Sequence, residues 1–106
     1  MYINDNGNIS LTRGDTLHIP VVTSGYELCP DDIVEMTVRT GTEIGAEVIF
    51  RITGDTEHII HIRPEHTANL EYGRYKYDIQ ATLLNGDVVT YGPYNFKVLK
   101  EVTYNG

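Results

Sequence analysis

The stretch Glu65–Leu83, EHTANLEYGRYKYDIQATL, decides the fold of this chain, because a turn signal runs directly into a strand with period-two alternation. One face of the predicted strand carries Tyr75, Tyr77, Ile79, Ala81 and Leu83, and the other carries Arg74, Lys76, Asp78, Gln80 and Thr82. Such a strand is half buried, with one side on a core and the other in water. The sequence therefore predicts a sheet with one covered face.

Turn-prone clusters of Gly, Asn, Asp and Pro recur along the chain and separate β-branched or aromatic runs. The predicted strands are residues 16–22, 33–39, 47–53, 58–63, 73–83, 88–91 and 94–100. Asn85 and Gly86 suit the two positive φ angles of a type I′ turn, so the strands on either side are expected to pair antiparallel. Pro64 stands at a first-turn position, which predicts one short helical turn near 64–70.

Seven or eight short strands at this spacing are typical of an all-β, antiparallel β-sandwich. The alternating apolar residues of each strand are predicted to face its core, Val48 and Phe50 among them. With 106 residues, of which 41% are hydrophobic, the chain has the size and composition of a single folded domain, residues 1–106.

The chain is acidic. Eight basic and fifteen acidic side chains give it a formal charge of -7. Net negative charge opposes the counterion release on which nucleic-acid binding depends, and it disfavours anionic membrane surfaces, so we expect neither as a partner. No apolar run approaches the roughly 20 residues of a membrane-spanning helix, and the first residues do not resemble a secretory signal. We therefore expect a cytoplasmic protein.

The sequence predicts no metal and no cofactor. Cys29 is the only cysteine, which excludes an intrachain disulfide and a Cys-rich zinc site. His58 and His61 are three residues apart, a spacing that places them on opposite faces of a strand. His66 and Glu65 follow close by, but three converging ligands cannot be specified from this pattern.

No residue pattern predicts a catalytic centre either. Neither Ser10 nor Ser24 lies in a nucleophile elbow. Asp31 and Asp32 could act as an acid and a base, but a turn before the next strand explains them better, because Asp side chains bond their own turn backbone. The sequence thus predicts a protein that is not an enzyme.

Eight tyrosines without a tryptophan raise the question of a contact surface. Tyr75 and Tyr77 are predicted to lie in the core. An exposed tyrosine offers a large amphipathic area at low entropy cost, and Tyr91 and Tyr94, around Gly92-Pro93, are the predicted contact residues. The alternative is that they cap the open ends of the sandwich with their hydroxyls in water.

The spacing of Leu70, Gly73, Tyr75 and Tyr77 is similar to the corner between strands E and F of immunoglobulin-like and fibronectin type III domains. In those domains an early tyrosine anchors the corner through its hydroxyl. The resemblance implies an immunoglobulin-like sandwich in which Leu70, Gly73 and Tyr75 form the structural corner.

A series of turn-and-strand motifs extends this likeness over nearly the whole chain. The motifs are Leu11–Thr16, Leu28–Ile33, Thr37–Arg39, Arg63–Thr67, Tyr72–Ile79, Asn85–Asp87, Phe96–Val98 and Glu101–Thr103. Together they resemble small phage and prophage proteins of Gram-positive bacteria, which are similar to the N-terminal β-sandwich of baseplate upper proteins. The resemblance implies a virion structural protein that docks onto copies of itself or other tail proteins, cytoplasmic during assembly and destined for the virion.

Three functional hypotheses follow. The main one is a non-enzymatic assembly module of a phage or prophage tail, acting through protein-protein contacts. The alternative is a carbohydrate- or peptide-binding sandwich, which requires a concave site lined by exposed tyrosines. An enzyme is the third, and it requires a cluster of titratable groups that the sequence does not provide.

Overall fold

A computed structural model describes residues 7–22 and 27–100 of the chain. The elements in these ranges are β1 (Ile9–Thr12), β2 (Leu17–Pro20), β3 (Ile33–Arg39), β4 (Val48–Thr53), β5 (Ile59–Ile62), α1 (Pro64–Thr67), β6 (Gly73–Thr82) and β7 (Val88–Leu99). The prediction of an all-β fold is confirmed, and the helical turn predicted near 64–70 is α1.

The strands form two sheets. The larger has the order β1-β7-β6-β3-β4, and β2 pairs with β5 in the second. Every pairing is antiparallel except that of β1, which runs parallel to β7 with Ile9 opposite Phe96. The larger sheet is therefore mixed, and the prediction of a wholly antiparallel fold is wrong. Alternation tells which face a residue occupies, but it carries no information about the direction of the neighbouring strand.

Strand β1 was not among the predicted strands. Its four residues lie between two turn clusters, a length too short for period-two alternation to be recognised. Ile9 and Leu11 are nevertheless buried, and both belong to the hydrophobic core.

Strand β7 is continuous where two strands were predicted. Gly92 and Pro93 lie inside it and together face Asp78 of β6, which makes a bulge with two residues opposite one. Gly92 has φ of 118°, and its peptide bond to Pro93 is cis. The extra residue shifts the alternation, so Tyr91 and Tyr94 both point to the inner face although they are three positions apart.

The hairpin between β6 and β7 has a turn other than the predicted one. Gly86 has φ of 94°, but Asn85 does not have a positive φ. The N–H of Gly86 donates to the carbonyl oxygen of Leu83, and the N–H of Leu83 donates to that of Asp87. These bonds define a type I turn followed by a left-handed glycine, which closes the same hairpin with one positive φ instead of two. The Asn85 side chain accepts from the N–H of Asp87, which favours this turn.

The core lies between the inner faces of the two sheets. Its buried hydrophobic residues are Ile9, Leu11, Ile19, Val21, Val34, Met36, Val38, Ile60, Ile62, Tyr77, Ile79, Ala81, Phe96 and Val98. Most stand where alternation predicted them. Val48 does not: it is 44% exposed, because β4 is an edge strand and a register shift between Val38 and Arg39 places it beside the outward Arg39.

Candidate protein-contact surfaces

The outer face of the five-stranded sheet carries most of the positive charge of the molecule. Its outward basic side chains, which we call the basic face, are Arg39, Arg51, Arg74, Lys76 and Lys97. They are five of the eight Lys and Arg residues of the chain, whereas Glu35 and Asp78 are the acidic residues of the same face. The face thus has a formal excess of three positive charges, and the rest of the sequence has a formal net charge of -10.

The sheet brings like charges into direct opposition on this face. Arg74 stands opposite Lys97, and Lys76 stands opposite Arg39. Like charges directly opposite each other destabilise a sheet, so folding alone does not account for this placement.

Only part of this charge is compensated within the described chain. Arg39 forms an ion pair with Asp78, and the Lys76 ammonium donates to the side-chain oxygen of Asn95. In residues 7–22 and 27–100, no ion pair or hydrogen bond involves the side chain of Arg74 or Lys97. Two adjacent cations therefore remain available to an acidic partner.

An acidic surface lies at the end of the sheet where β3 begins. Three loops meet there, residues 27–32, 54–58 and 83–87, and none contains Lys or Arg. Their exposed acidic side chains, which we call the acidic end, are Glu27, Asp31, Asp55, Glu57 and Asp87.

Asp32 ties these loops together. It is buried, and its carboxylate accepts from the backbone N–H of Cys29 at 2.7 Å and of Leu84 at 2.8 Å. Its carbonyl oxygen accepts from Nε2 of His58 at 2.9 Å. With both carboxylate oxygens bonded to backbone, Asp32 has a structural role, which agrees with the turn interpretation of Asp31-Asp32.

The basic face and the acidic end are well separated. Strand β3 runs from the acidic end to Arg39, a span of about 20 Å at ~3.3 Å per residue, and Arg51, opposite Thr37, is about 13 Å along the strand from its start. The Debye length at physiological ionic strength is about 8 Å. The two surfaces therefore do not neutralise each other within one chain, and each remains available to a partner of opposite charge.

The predicted contact residues Tyr91 and Tyr94 lie on the opposite side of the sheet from the basic face. Both are half-buried. The Tyr94 ring packs against the core, with its centroid 5.3 Å from that of Tyr77, and it lies over Gly7, where a side chain would collide with it. Tyr94 thus contributes to packing at the flank of the core.

The residues of the predicted corner lie together where the chain enters β6. The hydroxyl of Tyr75 donates to the carbonyl oxygen of Glu71 at 2.7 Å, and burial raises the pKa of this tyrosine. Leu70 packs against the core, and its N–H donates to the carbonyl oxygen of Thr67. Gly73 has φ of 144°, a left-handed conformation that favours glycine.

The histidines are divided between separate environments. His58 is buried with φ of 62°, and His66 accepts from the N–H of Arg63 through Nδ1. His61 instead lies opposite His18 of β2, and their Nδ1 atoms are 2.7 Å apart. Within the described ranges, no three His, Cys, Asp or Glu side chains form a group suited to a metal ion.

A cleft of about 340 Å³ opens beside the basic face. Its lining includes Arg39, Lys76 and Asp78 from the sheet and Thr42 and Glu43 from the loop between β3 and β4. Tyr77 is the aromatic residue of this lining, and it is buried with 1% exposure. The cleft is therefore a charged extension of the basic face without an exposed aromatic platform.

Sequence reasoning placed Arg74, Lys76 and Lys97 on outward faces of their strands, but it did not combine them into one surface. That step requires the sheet order, which places β6 between β3 and β7. The available signal was that basic residues, which are few in this chain, recur at alternate positions of several predicted strands.

Comparison of the sequence with protein families and curated proteins, and of the structure with solved structures, found no match. In the part of the chain that the structure describes, no helix is long and apolar enough to cross a membrane.

Proposed function

We propose that this protein is a non-enzymatic assembly module of a phage or prophage tail, which binds other protein subunits through charge-complementary contacts. The observation that carries the proposal is the separation of a basic face from an acidic end in a chain of net charge -7. The attribution to a tail rests on the resemblance of the sequence motifs to phage and prophage proteins.

We further propose that the domain is an immunoglobulin-like sandwich. The adjacent strands β3, β6 and β7 correspond to C, F and G, and β2 with β5 corresponds to B and E. β4 then extends the larger sheet beside C, as in variable-type domains. The bond from Tyr75 to Glu71, early in β6, supports this assignment because it has the form of a tyrosine corner.

The partner that the charges favour is a second copy of the chain, bound head to tail. The basic face of one copy would contact the acidic end of the next, a heterologous contact that closes into a ring when the rotation between copies allows it. In a ring each weak electrostatic contact is repeated, and the assembly becomes more stable than a single pair. The other partners that the resemblance implies are neighbouring tail proteins, whose acidic surfaces would contact the same basic face.

Light scattering of the purified protein at increasing salt tests this proposal. At low ionic strength we expect a mass above the 12.0 kDa of the monomer, falling to the monomer value at about 0.5 M salt because exposed charges are then screened. A monomer at all salt concentrations, at protein concentrations up to about millimolar, would contradict self-association.

Two single variants with the same charge change separate a specific contact from general repulsion. Arg74→Glu alters the basic face, whereas Arg63→Glu alters an exposed position beside α1. We expect the first to abolish association at low salt and the second to leave it nearly unchanged. Equal effects would show that net charge, and not the basic face, governs the result.

A mixing experiment identifies the acidic end as the other half of the contact. Chains carrying Asp31→Lys and Glu57→Lys should be monomeric alone, as should chains carrying Arg74→Glu and Lys97→Glu. The first double variant keeps its basic face and the second keeps its acidic end. A mixture of the two should therefore form heterodimers at low salt. Failure of the mixture to associate would place the partner surface elsewhere.

Membership of a tail is tested independently of self-association. Mass spectrometry of purified phage particles from the source strain should detect the protein in stoichiometric amounts. The carbohydrate- or peptide-binding alternative has less support, since the cleft beside the basic face lacks an exposed aromatic side chain.

A further inference from the structure

A chain of hydrogen bonds on the second sheet links three titratable side chains. Oδ2 of Asp55 lies 2.7 Å from Nε2 of His61, and Nδ1 of His61 lies 2.7 Å from Nδ1 of His18. The two histidines are paired across strands β2 and β5, on the face opposite the buried Ile19 and Ile60. The assembly contact proposed above does not use either histidine.

The bonds of Asp55 determine which nitrogen of His61 carries a proton. Oδ1 of Asp55 accepts from the backbone N–H of Glu57 and of Ile59, at 2.8 and 3.1 Å. A carboxylate oxygen accepts hydrogen bonds, so Oδ2 of Asp55 accepts from Nε2 of His61. Nε2 of His61 therefore holds the proton, and in the neutral ring Nδ1 presents its lone pair to His18.

At 2.7 Å the two Nδ1 atoms have room for one proton between them, donated by one ring and accepted by the other. A metal ion that binds both Nδ1 atoms displaces this proton and lies to one side of the line that joins them. The Nδ1 lone pair of His18 becomes available when this exposed side chain carries its proton on Nε2 instead, as in the other neutral tautomer.

We propose that His18 and His61 bind a divalent transition-metal ion through their Nδ1 atoms, with Cu²⁺ preferred to Zn²⁺. With metal–nitrogen distances of about 2.05 Å, two ligands at 90° are about 2.9 Å apart, and two at the tetrahedral angle are about 3.3 Å apart. Either separation exceeds the present 2.7 Å, and both rings must also turn, because the Nδ1 atoms now face each other and their lone pairs must converge on the ion. Nitrogen ligands bind Cu²⁺ more tightly than Zn²⁺ in the usual order of divalent affinities, and this order sets the expected preference.

Asp55 gives the pair the outer shell of a metal site. A ligating histidine commonly donates its other ring N–H to a carboxylate, which fixes the ring and strengthens the ligand. His61 has this bond already, and Asp55 is itself held by two backbone N–H groups. The His61 side chain is 29% exposed, so water can complete the coordination of an ion bound by two protein ligands.

Calorimetric titration of the full chain with Cu²⁺ or Ni²⁺ at pH 7.5 and about 0.5 M salt tests this site. High salt separates it from the proposed assembly, because screening keeps the chain monomeric. We expect one ion per chain, and weaker binding of Zn²⁺ than of Cu²⁺. The His18→Ala/His61→Ala variant measures binding elsewhere, including at the chain terminus, and should lose the one-to-one site.

Matched variants distinguish a ligand from a bystander. His66→Ala removes a histidine outside the pair and should leave the affinity unchanged, whereas His61→Ala should lower it at least about tenfold. Asp55→Asn should weaken binding about 10- to 100-fold, the usual effect of an outer-shell partner, while Asp87→Asn should not. Equal binding by the wild-type chain and the double variant would overturn the proposal and leave a proton-sharing pair only.

Discussion

The two faces of the five-stranded sheet are made by alternate residues of the same strands, yet they differ in almost every physical property. The inner face of β6 presents Tyr77, Ile79 and Ala81, each at most 1% exposed, to a core shared with the second sheet. The outer face presents Arg74 and Lys76 to solvent beside basic residues of the neighbouring strands. The inner face is arranged for stability, and the outer face opposes like charges at a small cost in stability.

Because the two faces differ in this way, substitutions on each face should change a different measured property. Truncation of a buried side chain on the inner face should lower the free energy of unfolding without a direct effect on association. Charge reversal on the outer face should lower association and leave the free energy of unfolding nearly unchanged.

The largest effect is expected at Phe96, the core residue of β7 whose ring packs edge-on against Phe50 and Tyr77. Phe96→Ala should lower the free energy of unfolding by about 3–5 kcal/mol, because it leaves a cavity at a position with 0% exposure. Urea denaturation followed by circular dichroism measures this value.

The matched control is the next residue of the same strand. Lys97 points outward, so Lys97→Ala should change stability by less than about 0.5 kcal/mol. A similar loss at the two positions would mean that the faces do not differ as the structure shows.

The second prediction concerns Asp32, which joins the loops of the acidic end. Asp32→Ala should destabilise the chain by about 2–3 kcal/mol, since hydrogen bonds to a charged group contribute about 1.5–3 kcal/mol and two backbone donors lose their acceptor. Thermal denaturation compares it with Asp31→Ala, whose exposed side chain should matter little. Asp32→Asn keeps one acceptor, so its loss of stability should lie between those of the two alanine variants. Equal losses for the two alanine variants would contradict the role of Asp32 in joining the loops.

The third prediction is a loss of stability at alkaline pH caused by Tyr77. Burial, with the nearby Tyr94 as a second cause, raises the pKa of Tyr77 above the 10.0 of an exposed tyrosine. The folded state then holds its proton more tightly than the unfolded state. The resulting stability is complete below about pH 10 and is lost as the pH rises through the folded-state pKa.

Tyr77→Phe separates this titration from the packing of the ring. At neutral pH we expect a loss of about 1 kcal/mol, because the hydroxyl donates to the carbonyl oxygen of Gly7. Between about pH 10 and 12 the variant should lose less stability than the wild-type chain. Parallel pH profiles of the two proteins, measured by urea denaturation, would count against a buried Tyr77 hydroxyl.

The inner face could be predicted from the sequence to a large extent, and the outer face could not. Alternation alone placed Val34, Met36 and Ile79 in the core, since burial on one face imposes period two on each strand separately. The basic face depends on which strands are neighbours, and pairing between distant segments leaves no periodic signal. The same holds for His18 and His61, which only the pairing of β2 with β5 brings together.

The strands themselves were also only partly predictable, because the composition of a segment does not show which strand lies beside it. Gly92-Pro93 has the composition of a turn, but the chain accommodates both residues in a bulge because β6 continues on the other side. β1 was too short to show alternation, and its parallel pairing with β7 follows from tertiary packing of Ile9 and Leu11. Propensity and pattern describe a segment by itself, and these features depend on its neighbours.

The last prediction has the smallest effect on stability and the most direct bearing on the outer face. Arg74→Glu replaces a like-charge pair with an opposite-charge pair, because Lys97 stands directly across the sheet. Opposite charges in this position contribute about 0.2–1 kcal/mol, so the variant should be as stable as the wild-type chain or slightly more stable in urea denaturation at low salt. The same variant should lose association in light scattering. A stable chain that no longer associates would show that the like-charge pair is kept for contact and not for folding, whereas a destabilised chain would show that Arg74 serves the fold.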